Sequence, residues 1–239
     1  MVNLPAKGFM KKYAVIVAGG SGSRMGASRP KQFLLLNGKP VLWHTLEAFS
    51  AAYNDMQIVL VLPPGFLEEG KQIIQTTSAP SRVKIVAGGA TRFHSVKNGL
   101  EHAADNAIIF VHDAVRCLIT PALIRRCYEQ ALQKGSAIPA IAVTDSIRMI
   151  ADGKTRIVDR NALRAVQTPQ TFRAEIILSA FKQEYDPRFT DEASVVEAAG
   201  ADVFLIEGEK ENIKITLPAD MLLAEQVLKN RSGALSREE

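Results

Sequence analysis

Residues 13–31 read Tyr-Ala-Val-Ile-Val-Ala-Gly-Gly-Ser-Gly-Ser-Arg-Met-Gly-Ala-Ser-Arg-Pro-Lys, and this stretch decides the fold. Its first six residues are apolar and the run ends at Gly19, which predicts a short buried strand. The glycines that follow allow backbone N–H groups to approach a ligand closely, and consecutive N–H groups form an anion-binding concavity. Arg24 and Lys31 add fixed positive charge. A strand, a glycine loop and two cations together indicate a site for a nucleoside triphosphate.

The spacing of this loop differs from that of the two common phosphate-binding loops. A Walker loop requires G-x-x-x-x-G-K-[ST], but Met25 stands five residues after Gly20 and the loop contains no Gly-Lys-Ser/Thr. A dinucleotide fingerprint requires G-x-G-x-x-G, and Gly26 comes one residue too late. The spacing A-G-G-x-G-x-R-M-G followed by P-K-Q resembles the signature of sugar-phosphate nucleotidyltransferases. The residues alone leave open a glycine turn with solvated charges.

Length and composition favour one domain that handles small anionic molecules. The chain has 239 residues and a net charge of +4, and we expect a single domain over residues 10–230. No block of lysine and arginine indicates a nucleic-acid partner, and no apolar run approaches the ~20 residues that span a bilayer. Cys117 and Cys127 lack metal or disulfide spacing, which predicts a reduced, cytoplasmic setting.

Predicted strands and helices alternate through the first 143 residues. Such alternation is typical of an α/β, Rossmann-like fold, with a mostly parallel sheet covered by helices on both faces. The predicted strands cover residues 13–18, 57–62, 83–87, 107–112 and 136–143, and the predicted helices cover residues 40–52, 66–76, 92–104 and 121–134. Ligands bind such sheets at the carboxyl ends of the strands. The glycine loop, Gly88-Gly89 and Asp113 all fall at those ends.

The alternation breaks at residues 144–170, where apolar and polar residues alternate around Asp152-Gly153. Asp-Gly between such runs predicts a hairpin, so we expect a β-arm that projects from the sheet. An exposed hairpin is an aggregation hazard unless it is covered, and a homodimer would cover it. After the arm we expect helices at residues 174–185, 191–199 and 218–228, and strands at residues 203–206 and 213–217.

Six separated motifs resemble one family, the 2-C-methyl-D-erythritol 4-phosphate cytidylyltransferases of the non-mevalonate isoprenoid pathway. They span essentially residues 12–229. The motifs are A-G-G-S-G-S-R-M-G with P-K-Q-F, A-G-G-A-T-R with Ser95, H-D-A-V-R, V-D-R-N-A-L with T-P-Q-T-F, F-T-D-E-A-S, and N-I-K-I-T. The resemblance implies transfer of CMP from CTP to the alcohol phosphate, with release of pyrophosphate. The substrate phosphate is already anionic, so no protein nucleophile is needed. The enzyme must instead hold two polyanions together and neutralise the growing charge.

The resemblance also implies roles for individual residues on the nucleotide side. The implied catalytic residues are Arg24, Lys31 and Lys214, the last on the predicted strand 213–217. The implied nucleotide-binding residues are Ala18, Gly19, Gly20, Gly22, Gly88, Gly89 and Ser95. The strand pattern alone leaves open that Lys214 is an exposed strand lysine without a role in the site.

On the alcohol side, the resemblance implies an Mg²⁺ ligand and six substrate contacts. Asp113 would bind Mg²⁺ that bridges the phosphates, since a carboxylate with phosphate oxygens is the usual magnesium set. The implied alcohol-binding residues are Asp113, Arg116, Ser146, Arg160, Thr168 and Thr190. Arg160 lies on the arm, so it would serve the other subunit's site, or else form an ion pair at the dimer interface. A turn cap would also explain Asp113, and helix capping suffices to explain Asp191.

Two other functions stay open from the sequence. A ribitol- or polyol-phosphate cytidylyltransferase shares the glycine loop and T-P-Q-T-F, although the V-D-R-N and T-D-E-A-S matches favour the methylerythritol branch. A non-catalytic nucleotide sensor on the same fold is also possible in principle. Retention of Arg24, Lys31, Asp113 and Lys214 argues against a sensor, which does not need charges placed for a transition state.

Overall fold

The computed structural model describes residues 10–18 and 29–235, with side chains through residue 231. The strands are β1 (Lys11–Val17), β2 (Leu35–Leu36), β3 (Lys39–Pro40), β4 (Gln57–Leu62), β5 (Val83–Ala87), β6 (Ala107–Asp113), β7 (Ser136–Ala142), β8 (Ile147–Ala151), β9 (Lys154–Val158), β10 (Arg164–Val166), β11 (Gln170–Arg173) and β12 (Leu205–Glu207). The helices are α1 (Val41–Ala52), α2 (Leu67–Gln75), α3 (Arg92–Leu100), α4 (Pro121–Lys134), α5 (Ala174–Ala180), α6 (Glu192–Ala198) and α7 (Pro218–Leu235). No helix in these ranges is long and apolar enough to cross a membrane.

The main sheet is mixed, with a parallel centre. Its order is β10-β7-β11-β6-β1-β4-β5, and β12 also pairs with β7. Strands β6, β1, β4 and β5 run parallel, whereas β11 lies antiparallel between β6 and β7. The predicted α/β class is therefore confirmed. The carboxyl ends of four parallel strands open on one edge, where the candidate site lies.

Alternate residues of the central strands feed two apolar layers, because successive side chains in a strand point to opposite faces. Ile16, Leu60 and Phe110 pack with α1, α2 and α4 in one cluster. Val15 and Val111 pack with α3, α5 and α6 in the other. Every residue of β6 is buried. Helices thus cover both faces of the sheet, as predicted.

The hairpin predicted at Asp152-Gly153 is confirmed. Strands β8 and β9 pair antiparallel in a two-stranded sheet of their own, and both turn residues have positive φ, 51° and 70°, as a type I′ turn requires. The arm is shorter than the 144–170 boundaries predict. Residues 164–166 pair with β7, and Gln170 pairs with β6, so only residues 147–158 form the hairpin.

One predicted strand is wrong. Residues 213–217 alternate in polarity, but they form an irregular segment and not a strand. Their link to the sheet region is one backbone bond, from Ile215 N to Val115 O at 3.0 Å, and Val115 lies beyond the end of β6. The apolar alternation arises because Ile215 is buried against the loop after β6 and α7. Lys214 is therefore carried by an irregular segment.

Candidate active site

The carboxyl ends of three parallel strands, β1, β5 and β6, form the base of the site. Gly88 N donates to Leu62 O at 2.8 Å, Ala18 N to Val61 O at 2.9 Å, and Ala114 N to Val17 O at 3.0 Å. The residue that directly follows each strand is thus hydrogen-bonded to the neighbouring strand. Ala18 and the residues around Gly88 and Asp113 consequently leave the sheet along the same edge.

The glycine loop itself is outside the described residues. Gly19, Gly20, Gly22 and Arg24 fall within residues 19–28, so their predicted roles remain predictions. The two flanks of the loop are described, and they are joined: Gln32 Nε2 donates to Ala18 O at 2.7 Å. Lys31 lies beside this bond in a short 3₁₀ helix and is 8% exposed. The sheet edge therefore fixes both ends of the loop and the position of Lys31.

Gly88, Gly89 and Ser95 lie together at the end of β5. Gly89 N donates to Ser95 Oγ at 3.1 Å, and that hydroxyl donates to Thr91 O at 2.9 Å. A Cβ on Gly89 would lie 2.4 Å from Cβ of His94, which is closer than real Cβ contacts allow. Glycine is thus required by the close approach of this turn to α3. The Ser95 hydroxyl holds the turn from inside.

Asp113 lies at the centre of a cluster of cations. Its Oδ1 accepts from Arg92 Nη2 at 3.1 Å and from Arg92 Nε at 3.3 Å, and its Oδ2 lies 2.8 Å from Lys214 Nζ. Arg116 Nε lies 4.0 Å from the same Oδ2. Burial alone would raise the pKa of the Asp113 carboxyl, but Arg92 and Lys214 outweigh burial and hold that pKa well below its usual range. Asp113 is therefore ionised at neutral pH.

A directed chain of hydrogen bonds runs behind Asp113. His112 Nε2 lies 3.2 Å from Arg116 O, and a carbonyl only accepts, so Nε2 carries the proton. Nδ1 then accepts from the Thr168 hydroxyl at 3.0 Å, and Thr168 Oγ1 accepts from Asp113 N at 3.1 Å. Burial lowers the pKa of His112 to about 3, which keeps the ring neutral. Thr168 thus fixes the backbone of Asp113 through both functions of its hydroxyl.

Arg116 joins Asp113 to the segment that carries Lys214. Its Nη1 donates to Asn212 O at 2.8 Å, and Asn212 Nδ2 donates to Thr168 O at 2.9 Å. Arg116 Nε is buried and has no hydrogen-bond partner among the described residues. Burial lowers the pKa of Arg116, yet arginine stays charged in proteins. A buried donor without a hydrogen-bond partner, facing the same Asp113 oxygen as Lys214, is suited to an anionic ligand.

Two residues that sequence reasoning did not select belong to this cluster. Arg92 Nη2 also lies 3.1 Å from Glu192 Oε2, and Arg92 Nη1 bonds Glu192 Oε1. Glu192 is 1% exposed. Both residues stand inside quoted motifs, Arg92 as the last letter of A-G-G-A-T-R and Glu192 as the fourth of F-T-D-E-A-S. The signal in the sequence is that each is a charged residue inside a motif.

The predicted alcohol-binding residues lie in three places. Arg116 and Thr168 lie in the Asp113 cluster. Ser146 and Arg160 are exposed beside the hairpin, and Arg160 Nη1 donates to Thr144 O; no contact in the described part of the chain links either to Asp113. Thr190 is exposed, and its N–H donates to Ser194 Oγ at 3.1 Å.

Asp191 acts as predicted, as the N-cap of α6. Its side chain accepts from Ser194 N at 2.9 Å, in a capping box with Ser194. The capping explanation for this residue is thus confirmed.

The donor set fits a metal held mainly by its substrate. Within residues 10–18 and 29–235 no three His, Cys, Asp or Glu side chains gather as a ligand group. Asp113 offers an ionised carboxylate at the sheet edge. Mg²⁺ characteristically binds one or two carboxylates together with substrate phosphates and waters, and does not need an all-protein cage. A single carboxylate surrounded by cationic side chains that can bind phosphate is consistent with that mode of Mg²⁺ binding.

Comparison with known proteins identifies the family. The family model for 2-C-methyl-D-erythritol 4-phosphate cytidylyltransferase matches residues 12–230. The chain is 47% identical over 219 residues to the protein of that name from Bacteroides thetaiotaomicron, covering 92% of this chain and 100% of the relative. It is 46% identical to the Porphyromonas gingivalis protein of the same name, covering 91% and 98%.

Solved structures give the same result for the fold. The crystal structure of 2-C-methyl-D-erythritol 4-phosphate cytidylyltransferase from Thermus thermophilus superposes with a TM-score of 0.71 at 33% identity, covering 92% of this chain and 100% of that one. A 4-diphosphocytidyl-2C-methyl-D-erythritol synthase from Anaerococcus prevotii gives a TM-score of 0.79 at 26% identity, covering 92% and 96%. The mixed sheet with its parallel centre is therefore the architecture of these structures.

Proposed function

This chain belongs to the 2-C-methyl-D-erythritol 4-phosphate cytidylyltransferase family, and from this premise we propose which of its residues carry out the reaction. The enzyme transfers the cytidylyl group of CTP to 2-C-methyl-D-erythritol 4-phosphate and releases pyrophosphate. An oxygen of the substrate phosphate attacks the α-phosphorus in line, and the bond to the pyrophosphate oxygen breaks. The observation that supports the residue assignment best is the cluster of Arg92, Arg116 and Lys214 around Asp113.

The nucleotide occupies the sheet edge between the glycine loop and the end of β5. Gly19, Gly20 and Gly22 cradle the triphosphate through backbone N–H groups, as their spacing indicates. We assign Gly88 and Gly89 to the cytosine on the strength of the family motif; their N–H groups bond Leu62 O and Ser95 Oγ, so the turn is held in place before the nucleotide binds. The internal bond of Ser95 to Gly89 N supports a positioning role for that hydroxyl, and Ala18 begins the triphosphate loop.

Three cations act on the phosphates as charge develops. We assign Lys31 and Lys214 to the α-phosphate and Arg24 to the triphosphate on the strength of the family motif. In-line attack adds charge to equatorial oxygens, so cations placed there bind the transition state better than CTP. Lys214 is supported further by its position 2.8 Å from Asp113 Oδ2, the oxygen that Arg116 also faces.

Asp113 is our proposed Mg²⁺ ligand. When bound, the ion would neutralise phosphate charge and bridge the nucleotide to the protein. The chain's own contribution is a carboxylate kept ionised by Arg92 and Lys214. Since the second carboxylate of this cluster, Glu192, is engaged by Arg92, we expect Mg²⁺ to bind with CTP and not alone. Calorimetry with MgCl₂ and no nucleotide tests this expectation.

The alcohol phosphate binds between this cluster and the arm of a second protomer. The hairpin exposes Met149, Ile150 and Ile157 at 50%, 77% and 80%, and large apolar side chains in such numbers are typical of a surface that a partner covers. We propose a homodimer through the arm, with Arg160, Ser146 and Thr190 serving the alcohol phosphate. Arginine suits a phosphate monoester because its planar fork binds two oxygens.

The buried free thiols of Cys117 and Cys127 are compatible with a reducing compartment, and we propose a cytoplasmic enzyme.

A pyrophosphate-release assay tests the proposal. We expect release with CTP and methylerythritol phosphate in the presence of Mg²⁺, and much slower release with ATP or GTP. Ribitol 5-phosphate at equal concentration should compete poorly. Equal turnover of purine nucleotides would contradict the pyrimidine pocket at Gly88 and Gly89, and a preference for the ribitol compound would contradict the alcohol assignment.

A further inference from the structure

Arg92 lies between two carboxylates that are separated by 79 positions in the chain, Asp113 and Glu192. One edge of its guanidinium faces Glu192, with Nη2 at 3.1 Å from Oε2 and Nη1 bonded to Oε1. Nε and Nη2 face Asp113 Oδ1, at 3.3 Å and 3.1 Å. A planar fork that is held on one edge presents its other edge in a fixed plane. Arg92 therefore determines the direction from which Asp113 Oδ1 is bound, and leaves Oδ2 toward Lys214.

Glu192 is what holds the fork. Its side chain is 1% exposed, and burial raises the pKa of its carboxyl although Arg92 acts in the opposite direction. Burying a carboxylate carries a large desolvation cost. Such a residue needs an explanation beyond packing, because an apolar side chain of similar size would occupy the same space at lower cost.

Anchoring of α6 does not supply that explanation. Asp191 already caps the helix with Ser194. Gln170 ties the helix to β11 twice, with Nε2 donating to Asp191 Oδ2 and Oε1 accepting from Ala193 N, both at 2.8 Å. Val195 and Val196 are buried in the apolar layer that also holds α3 and α5. The helix is thus attached to the sheet without Glu192.

We propose that Glu192 is a positioning residue for the transfer reaction, which holds Arg92 so that the Asp113 carboxylate keeps one orientation toward the phosphates. The proposal rests on the function assigned above. It also couples the two halves of the site, because Glu192 follows the Thr190–Asp191 turn on the alcohol side, and Arg92 begins α3 on the nucleotide side. Neither side chain is required to touch a substrate.

Glu192→Gln is the principal test. The amide keeps the size of the side chain and removes its charge, so Arg92 loses its charged partner and shifts toward Asp113. Small displacements of a reacting group cost about 100-fold in rate. We therefore expect kcat to fall about 100-fold, while the Kd for CTP, measured by calorimetry without Mg²⁺, stays within about threefold of the wild type. Arg92→Lys keeps the charge but not the fork, and we expect it to lose a similar factor in kcat.

Glu197→Gln is the matched control, since Glu197 is exposed on the same helix; its kcat and Tm should equal those of the wild type. An unchanged kcat in Glu192→Gln would overturn the proposal. A loss of CTP affinity and of Tm in parallel with kcat would also overturn it, in favour of a structural ion pair. If the wild type itself releases no pyrophosphate, the proposed function fails, which is a distinct result.

A double variant covers the case in which Glu192→Gln does not fold. Arg92→Gln with Glu192→Gln leaves no unpaired charge behind from this pair, so it removes the main cause of misfolding. We expect a folded protein whose kcat remains about 100-fold low. Recovery of the wild-type kcat in the folded double variant would show that the pair serves stability alone and would refute the positioning role.

Discussion

The sheet edge around Asp113 and the hairpin of residues 147–158 are opposite in construction. Every residue of β6 is buried, and Asp113 is held by residues from three separate segments of the chain. The hairpin is paired only with itself, and most of its residues are exposed. The Asp113 cluster is therefore built within one chain, whereas the hairpin is a surface whose role depends on what covers it.

This difference separates two kinds of effect. Changes at the edge alter charges that are already fixed in place, so they act on the rate of the chemical step. Changes on the hairpin leave those charges intact and act on association and on the affinity for the alcohol. Four predictions, from the largest expected effect to the smallest, test whether the two regions divide the work in this way.

Lys31→Ala and Lys214→Ala should depress kcat about 100 to 1,000-fold, because each removes one preorganised cation from the transition state. The KM for CTP should change much less. Steady-state kinetics over a range of CTP concentrations gives both values. Lys210→Ala is the matched control, since Lys210 is exposed near Lys214 and should leave kcat intact. A raised KM with unchanged kcat would show that the two lysines bind CTP and the transition state equally, which would contradict their catalytic role.

Ile157→Asp should weaken the dimer. Ile157 and Ile150 lie on the same face of the hairpin, because Ile157 pairs with Arg148 two residues away from Ile150. A carboxylate in a covered apolar face costs about 2 kcal/mol or more, which raises the dissociation constant of the dimer about 30-fold. Light scattering at micromolar concentration measures the shift toward monomer. A wild-type protein that is already monomeric under these conditions would refute the dimer.

Arg160→Ala should raise the KM for methylerythritol phosphate about tenfold, since a charge-assisted hydrogen bond contributes roughly 1.5 kcal/mol. The KM for CTP should stay nearly constant. Arg156→Ala, at an exposed arginine of the neighbouring hairpin, is the control. A larger effect on CTP than on the alcohol would remove Arg160 from the alcohol site and leave it as an interface residue.

The smallest effect concerns pH and arises from His44 of α1. Burial lowers the pKa of His44, which bonds Leu36 O through Nε2 at 2.8 Å. Below its ordinary value of 6.5 the unfolded chain takes up this proton before the folded protein does, so stability falls as the pH falls. We expect His44→Gln, which keeps a donor, to lessen the drop in Tm between pH 7 and pH 5, as thermal melts at the two pH values would measure. Equal pH profiles for variant and wild type would contradict this assignment.

The sequence predicts best where local pattern and global fold agree. The strands at Gln57–Leu62 and Val83–Ala87 have the predicted bounds, because runs rich in Val, Ile and Leu end there at Pro63 and at Gly88. The hairpin turn is equally local, since Asp152-Gly153 fixes it within four residues. These elements need no information from distant parts of the chain.

The errors come from long-range contacts. Residues 213–217 alternate like a strand, but their apolar side chains pack on a loop beyond the sheet. Strand β11 escaped notice because Pro169 marks a break, whereas its pairing partners in β6 and β7 lie 34 to 65 positions away. The contact between Arg92 and Glu192 spans 100 positions. A sequence motif identifies such residues one by one, and only the folded structure shows that they are in contact.

The hydrogen-bond chain through Thr168 gives the site a reporter that needs no substrate. From Asp113 N through Thr168 to His112 and Arg116 O, each donor points the same way, so His112 is confined to one tautomer. In nitrogen-15 NMR its ring should show a protonated Nε2 and an unprotonated Nδ1, with a ring N–H proton that exchanges slowly with deuterated solvent. Any variant or ligand that loosens the union of β6 with β11 will speed that exchange. The exchange rate of the His112 ring N–H thereby reports whether the sheet edge around Asp113 is ordered.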